Sequence, residues 1–221
     1  MLNPDDRKIE PESPPNKLWT QRGDDDVAYQ RQAQVTWWTL LGGIAVGALL
    51  TQFETLLAAV KGGQWYYLLY FLATCFVIIT AWAQTAWGAL VLYWPISVPT
   101  SLIIFLGGLS QSLAALNITR PALWIACAVG VLLSAVLMQL TFMRQEGWIA
   151  LPKAAIKRVI VGIWIYIILI FISLGASVYL FLIPSRWAEL IWGVIVLLLS
   201  IFALYWQHLG MQEEKKRMHI A

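Results

Sequence analysis

Residues 159–182 read VIVGIWIYIILIFISLGASVYLFL, a run of 24 residues without one charged side chain. A helix needs about 20 predominantly apolar residues to cross the hydrocarbon core of a bilayer. A strand of a membrane barrel would be about half as long and would alternate with polar lumen residues. Continuous apolarity over this length therefore specifies a membrane-spanning helix, whose backbone polar groups are all satisfied within the segment.

Working outward from this run, five more segments have the same character: 35–60, 64–93, 97–117, 121–142 and 187–207. Turn chemistry separates most of them, at Lys61-Gly62-Gly63, Trp94-Pro95, Thr119-Arg120-Pro121 and Pro184-Ser185-Arg186. The chain is 60% hydrophobic and only 12% charged, well outside the range of soluble domains. Its charges also gather at the two ends and in one central loop. The expected fold is all-α, a polytopic membrane protein with six transmembrane helices in residues 35–208. Residues 1–34 are expected to form a largely disordered acidic tail containing Pro4, Pro11, Pro14 and Pro15, with a helix starting near Asp24 to Asp26 and running into the first span. Residues 209–221 are a short C-terminal tail. The second segment, at 30 residues, would be about 45 Å long as a helix and must tilt or extend beyond the bilayer.

Basic residues resist translocation and accumulate in cytoplasmic loops. With six spans, twelve of the fifteen Lys and Arg residues lie on the side of both termini, and only Lys61, Arg120 and Arg186 on the other. Both termini are therefore expected in the cytoplasm, with a bacterial inner membrane as the default compartment. The N-terminus lacks the pattern of a cleaved signal peptide, and its acidic residues argue against a mitochondrial transit peptide. Asn117-Ile118-Thr119 matches a glycosylation sequon by chance, at the very end of a span.

Aromatic residues fall where interfacial belts would place them: Trp37, Trp38, Trp94, Trp148 and Trp206 towards the cytoplasm, and Trp65, Tyr66, Tyr67, Trp124 and Trp187 opposite. Trp82, Trp87 and Trp164 lie deeper and read as packing residues, with a substrate-lining role for Trp82 and Trp87 beside Gln84 as the alternative.

Within the spans, small and polar residues carry the information. Gly43, Gly47 and Thr51 recur every four residues, a pattern that lets helices approach closely. That stripe is expected to turn Glu54 towards protein, where an intramembrane acid is tolerable. The alternative is that Glu54 snorkels to water or pairs with Arg120 or Arg186. Further packing faces carry Gly88 on the second span, Gly107 and Gly108 on the third and Gly130 on the fourth. A polar path from Glu54 and Gln111 in the outer half to Gln84 and Gln139 in the inner half is the functional alternative to packing. The last two spans, rich in Ile, Leu and Val, are expected at the periphery, facing lipid.

Catalysis finds little support. His208 and His219 lie at or beyond the inner end of the last span, and Cys75 and Cys127 are isolated, so haem, metal and thiol chemistry lack their groups. No phosphate-cradling loop, HExxH or GxSxG motif occurs. The expectation is a non-enzyme with no cofactor and no metal site. Its expected partners are the lipid bilayer and a membrane protein or a second copy, with no nucleic acid. Two functions stand: a non-catalytic membrane component, such as an assembly factor, anchor subunit or effector acting through partners, or an oligomeric ion channel or small-solute transporter with its path near Glu54, Gln84 and Gln111.

Overall fold

The structure, a computed structural model, describes residues 17–91, 98–143 and 153–217. They form seven helices: α1 (Lys17–Thr51), α2 (Phe53–Lys61), α3 (Tyr67–Val91), α4 (Val98–Leu116), α5 (Pro121–Met143), α6 (Lys153–Leu182) and α7 (Arg186–Arg217). Among the described residues, five stretches are long and apolar enough to cross a membrane: Val35–Lys61, Val98–Leu116, Pro121–Thr141, Val159–Leu182 and Arg186–Gln212. The shorter apolar stretch Tyr67–Ala83 of α3 adds to them. The chain is a polytopic helical membrane protein, and its exterior is accordingly studded with large apolar side chains such as Phe171, Phe181 and Leu182.

Two boundaries differ from expectation. Helix α1 includes Lys17, so residues 17–23, ahead of the start expected near Asp24 to Asp26, are helical too. Isolated helices gain little from propensity alone, and here a polar segment continues the register of a long membrane span. At the other end, α7 runs past 207 to Arg217. The helix of the second span starts later than its apolar run, since residues 64–66 form a turn and α3 begins at Tyr67, covering 25 residues, about 37 Å, to Val91.

The first span is interrupted once. Gln52 leaves the helical hydrogen-bond pattern, its N–H donating to Leu49 O at 3.1 Å, and α2 starts afresh at Phe53. Helix α2 then ends in a Schellman arrangement: Gln64 N–H donates to Ala59 O (2.9 Å) and Gly63 N–H to Val60 O (3.0 Å). Gly63 sits at φ +85°, a left-handed conformation that costs an L-residue about 1–2 kcal/mol. Gly63→Val is therefore expected to lower stability by about that amount in unfolding measurements on the detergent-solubilised protein. An unchanged midpoint would show that the turn does not hold this conformation.

Neighbour order in space departs from order in sequence. α1 lies against both α3 and α4, α4 against α5, α5 against α6, and α7 returns to α3. The helices thus follow one another as α7, α3, α1, α4, α5, α6, and the two ends of that series meet only lightly. α6 rests chiefly on α5 and α7 chiefly on α3, matching the peripheral position expected of the last two spans.

The larger core lies at the end of the bundle bearing the 62–66, 117–120 and 183–185 turns. It contains Leu56, Tyr66, Tyr67, Tyr70, Ile118, Trp124, Ile125 and Leu180. Tyr66 and Trp124 are buried here instead of anchoring in headgroups, because their polar atoms find partners inside, and Tyr67 is buried with its ring 4.6 Å from that of Tyr66. Tyr66 Oη donates to Glu189 Oε2 (2.8 Å), Tyr70 Oη to Glu189 O (2.7 Å) and Trp124 Nε1 to Thr74 Oγ1 (2.8 Å). Trp65 and Trp187 remain exposed at the same end, and Trp37 and Trp206 at the other. Trp82 and Trp164, expected as packing residues, are also exposed. Trp94 and Trp148 lie outside the described residues.

Candidate functional site: a cavity inside the bundle

Helix α1 buries one face only. Trp38, Leu41, Ala45 and Leu49 follow one another at helical spacing and are all buried, whereas Gly43, Gly47, Leu50, Thr51 and Glu54 are exposed. The small-residue stripe thus faces outward, and a Cβ added at Gly43 or Gly47 would meet nothing within 4 Å. This corrects the expected packing role of Gly43 and Gly47 within the chain. A span that is apolar all round does not reveal from sequence which side faces protein. Two other glycines do occupy close approaches. A Cβ on Gly108 would lie 2.9 Å from Leu41, joining α4 to α1, and one on Gly130 would collide with Ser110, joining α5 to α4. Gly107 likewise lies against Ser134, and Gly193, which the sequence did not single out, against Leu69 and Tyr70.

The buried side of α1 opens onto a cavity of about 130 Å³, to which α3, α4, α5, α6 and α7 also contribute. Most of its wall is apolar, including Val77, Ile103, Leu132 and Met138. Into it come Trp38, Gln111 and Gln139, together with Ser134, Tyr166 and Ser200. Ser134 and Ser200 donate to carbonyls of their own helices, Val131 O and Val196 O, each at 2.7 Å. Among the described residues, Trp38 Nε1, Gln111 Nε2 and Gln139 Oε1 are buried and find no hydrogen-bond partner. Gly162 of α6 lies beside the Gln139 amide, where an added Cβ would be in ordinary contact, 3.7 Å from its Oε1.

Of the four residues expected along a polar path, the cavity gathers Gln111 and Gln139. Glu54 is not among its wall residues: it sits exposed in the first turn of α2, where the helix N-terminus created by the Gln52 break favours a carboxylate. Gln84 and Gly88 fall within α3, and their surroundings lie outside the described residues. Sequence reasoning assigned Trp38 to the interfacial belt. The cue that could have placed it inside was its spacing to Leu41, Ala45 and Leu49, which competed with the more conspicuous glycines. Tyr166 carried no such cue, lying in a run where every residue is apolar or aromatic.

Among the described residues no group of three or more His, Cys, Asp or Glu side chains is placed to hold a metal ion. No family model, curated protein or solved structure matches the chain.

Proposed function

We propose that this protein is a non-catalytic integral membrane component that acts by associating with another membrane protein through the outward face of its first span. The observation that carries this reading is the exposed row Gly43, Gly47, Thr51 and Glu54. Small residues let a second helix approach closely, which in lipid supplies the dispersion contacts that drive association. A carboxylate on the lipid side of a span is costly, and a hydrogen-bond donor or cation on a partner helix would offset that cost. The partner is therefore a transmembrane helix carrying such a group opposite Glu54. Both termini on the cytoplasmic face of a bacterial inner membrane is part of the same proposal, supported by the concentration of basic residues on that side.

Photo-cross-linking in native membranes tests the reading, with the reactive residue placed at Gly47 or, for comparison, at Phe181, which is 74% exposed on α6. A discrete protein adduct at position 47, weakened by Glu54→Leu and missing at position 181, is the expected result. Lipid adducts alone at both positions would sink the proposal, and an adduct of twice the chain mass would replace the partner with a second copy.

A further inference from the structure

Three unpaired polar atoms around one cavity are expensive, about 1–3 kcal/mol each when buried. Hydrocarbon outside the bundle offers them no alternative partner. Their arrangement is informative about what would satisfy them. The α4–α5 contacts set Gly107 opposite Ser134 and Ser110 opposite Gly130, so the backbones at Gln111 and Gln139 stand roughly 14 Å apart along the bundle. Side chains lean towards the N-terminus of their own helix, and α4 and α5 run in opposite directions, so the two amides reach towards each other. Trp38, whose ring approaches Gly107, supplies a further N–H donor between them. The cavity is thus polar at its ends, with the apolar side chains Val77, Ile103, Leu132 and Met138 in its wall.

We propose that the cavity binds a short, uncharged molecule of about six non-hydrogen atoms with hydrogen-bonding groups at both ends and an apolar middle, of which a diol is the simplest. One end accepts from Gln111 Nε2, and the other donates to Gln139 Oε1. Size agrees: apolar cavities of about 150 Å³ take up benzene, itself six carbon atoms, and this one measures about 130 Å³. Charge is disfavoured, because among the described residues no Asp, Glu, Lys, Arg or His lines the cavity to compensate an ion.

The test uses 1,4-butanediol as the probe and the full chain in lipid nanodiscs, with ligand-observed saturation-transfer NMR as the readout. The native protein is expected to give a saturable signal, with γ-hydroxybutyrate, the charged analogue, and n-hexane, which lacks both polar ends, giving none. Gln111→Met and Gln139→Met should each weaken the diol about tenfold. Using both variants guards against one of them failing to fold, and native-like circular dichroism is required of whichever is scored. No saturable diol signal in the native protein, the outcome expected if waters alone fill the cavity, overturns the proposal. Equal binding by native protein and folded variants, or equal binding of γ-hydroxybutyrate, overturns it too.

Discussion

Replacing Trp124 with alanine should cost about 3 kcal/mol, towards the low end for truncating a buried aromatic, since lipid is itself apolar and returns part of the transfer free energy. Trp124 of α5 is buried, and its ring meets Tyr70 of α3 edge-on at 5.5 Å. Its indole N–H donates to Thr74 Oγ1, whose own hydroxyl donates to Tyr70 O at 2.7 Å. Tyr70, 0% exposed, continues the series to α7 by donating to the backbone of Glu189. Truncation would open a cavity between α3 and α5 and remove the donor that Thr74 accepts from. Trp124→Phe keeps an aromatic ring against Tyr70 and loses the hydrogen bond, so its cost should be smaller, about 1 kcal/mol. Reversible unfolding in mixed micelles would rank the three proteins. If Trp124→Ala lies within experimental error of the native chain, the aromatic network is not what joins these helices.

Substituting Gly130 should do comparable damage by the opposite route, overfilling. A Cβ at this position would collide with Ser110 Oγ and lie 3.0 Å from Ser110 Cβ. A hydroxyl can rotate aside, whereas the Cβ moves only with the α4 backbone. Gly130→Leu is expected to cost at least about 2 kcal/mol by forcing α4 and α5 apart. Gly130→Ala should cost less, and Ser110→Ala in the same chain should restore part of that loss by removing the nearest atom. Gly43→Leu and Gly47→Leu provide the contrast, since both positions face open space and the purified protein should tolerate them. Were Gly47→Leu as destabilising as Gly130→Leu, the orientation assigned to α1 would be wrong.

That contrast also shows how far the sequence could be read. Apolar run length identified the spans, because the bilayer imposes a length that composition alone reveals. It could not say which way each helix turns. In a soluble protein the polar face marks the outside, but in lipid the outside is apolar too, and the glycines of α1 and α4 look alike on paper. Gly108 is pressed against Leu41, while Gly47 meets nothing. The tyrosines and Trp124 misled for a related reason. A residue with an apolar body and a polar tip suits a headgroup layer, and equally suits a core in which Thr74 and Glu189 wait for that tip. The cavity was half legible: Gln111 and Gln139 stood out as polar atoms in apolar runs, but their convergence depends on a register between α4 and α5 that only packing fixes.

The placement of α7 has a consequence for how the protein is made. Its Ser200 and Ala203 form part of the cavity wall, and its Gly193 closes against Leu69 and Tyr70. The hydrogen bonds that hold it there join residues 119 and 123 positions apart in the chain. Tyr66 and Tyr70 are thus synthesised long before their acceptors exist. A nascent chain in which α1 to α6 have already entered the membrane still lacks one wall. That wall is completed only once α7 follows α6 into the membrane.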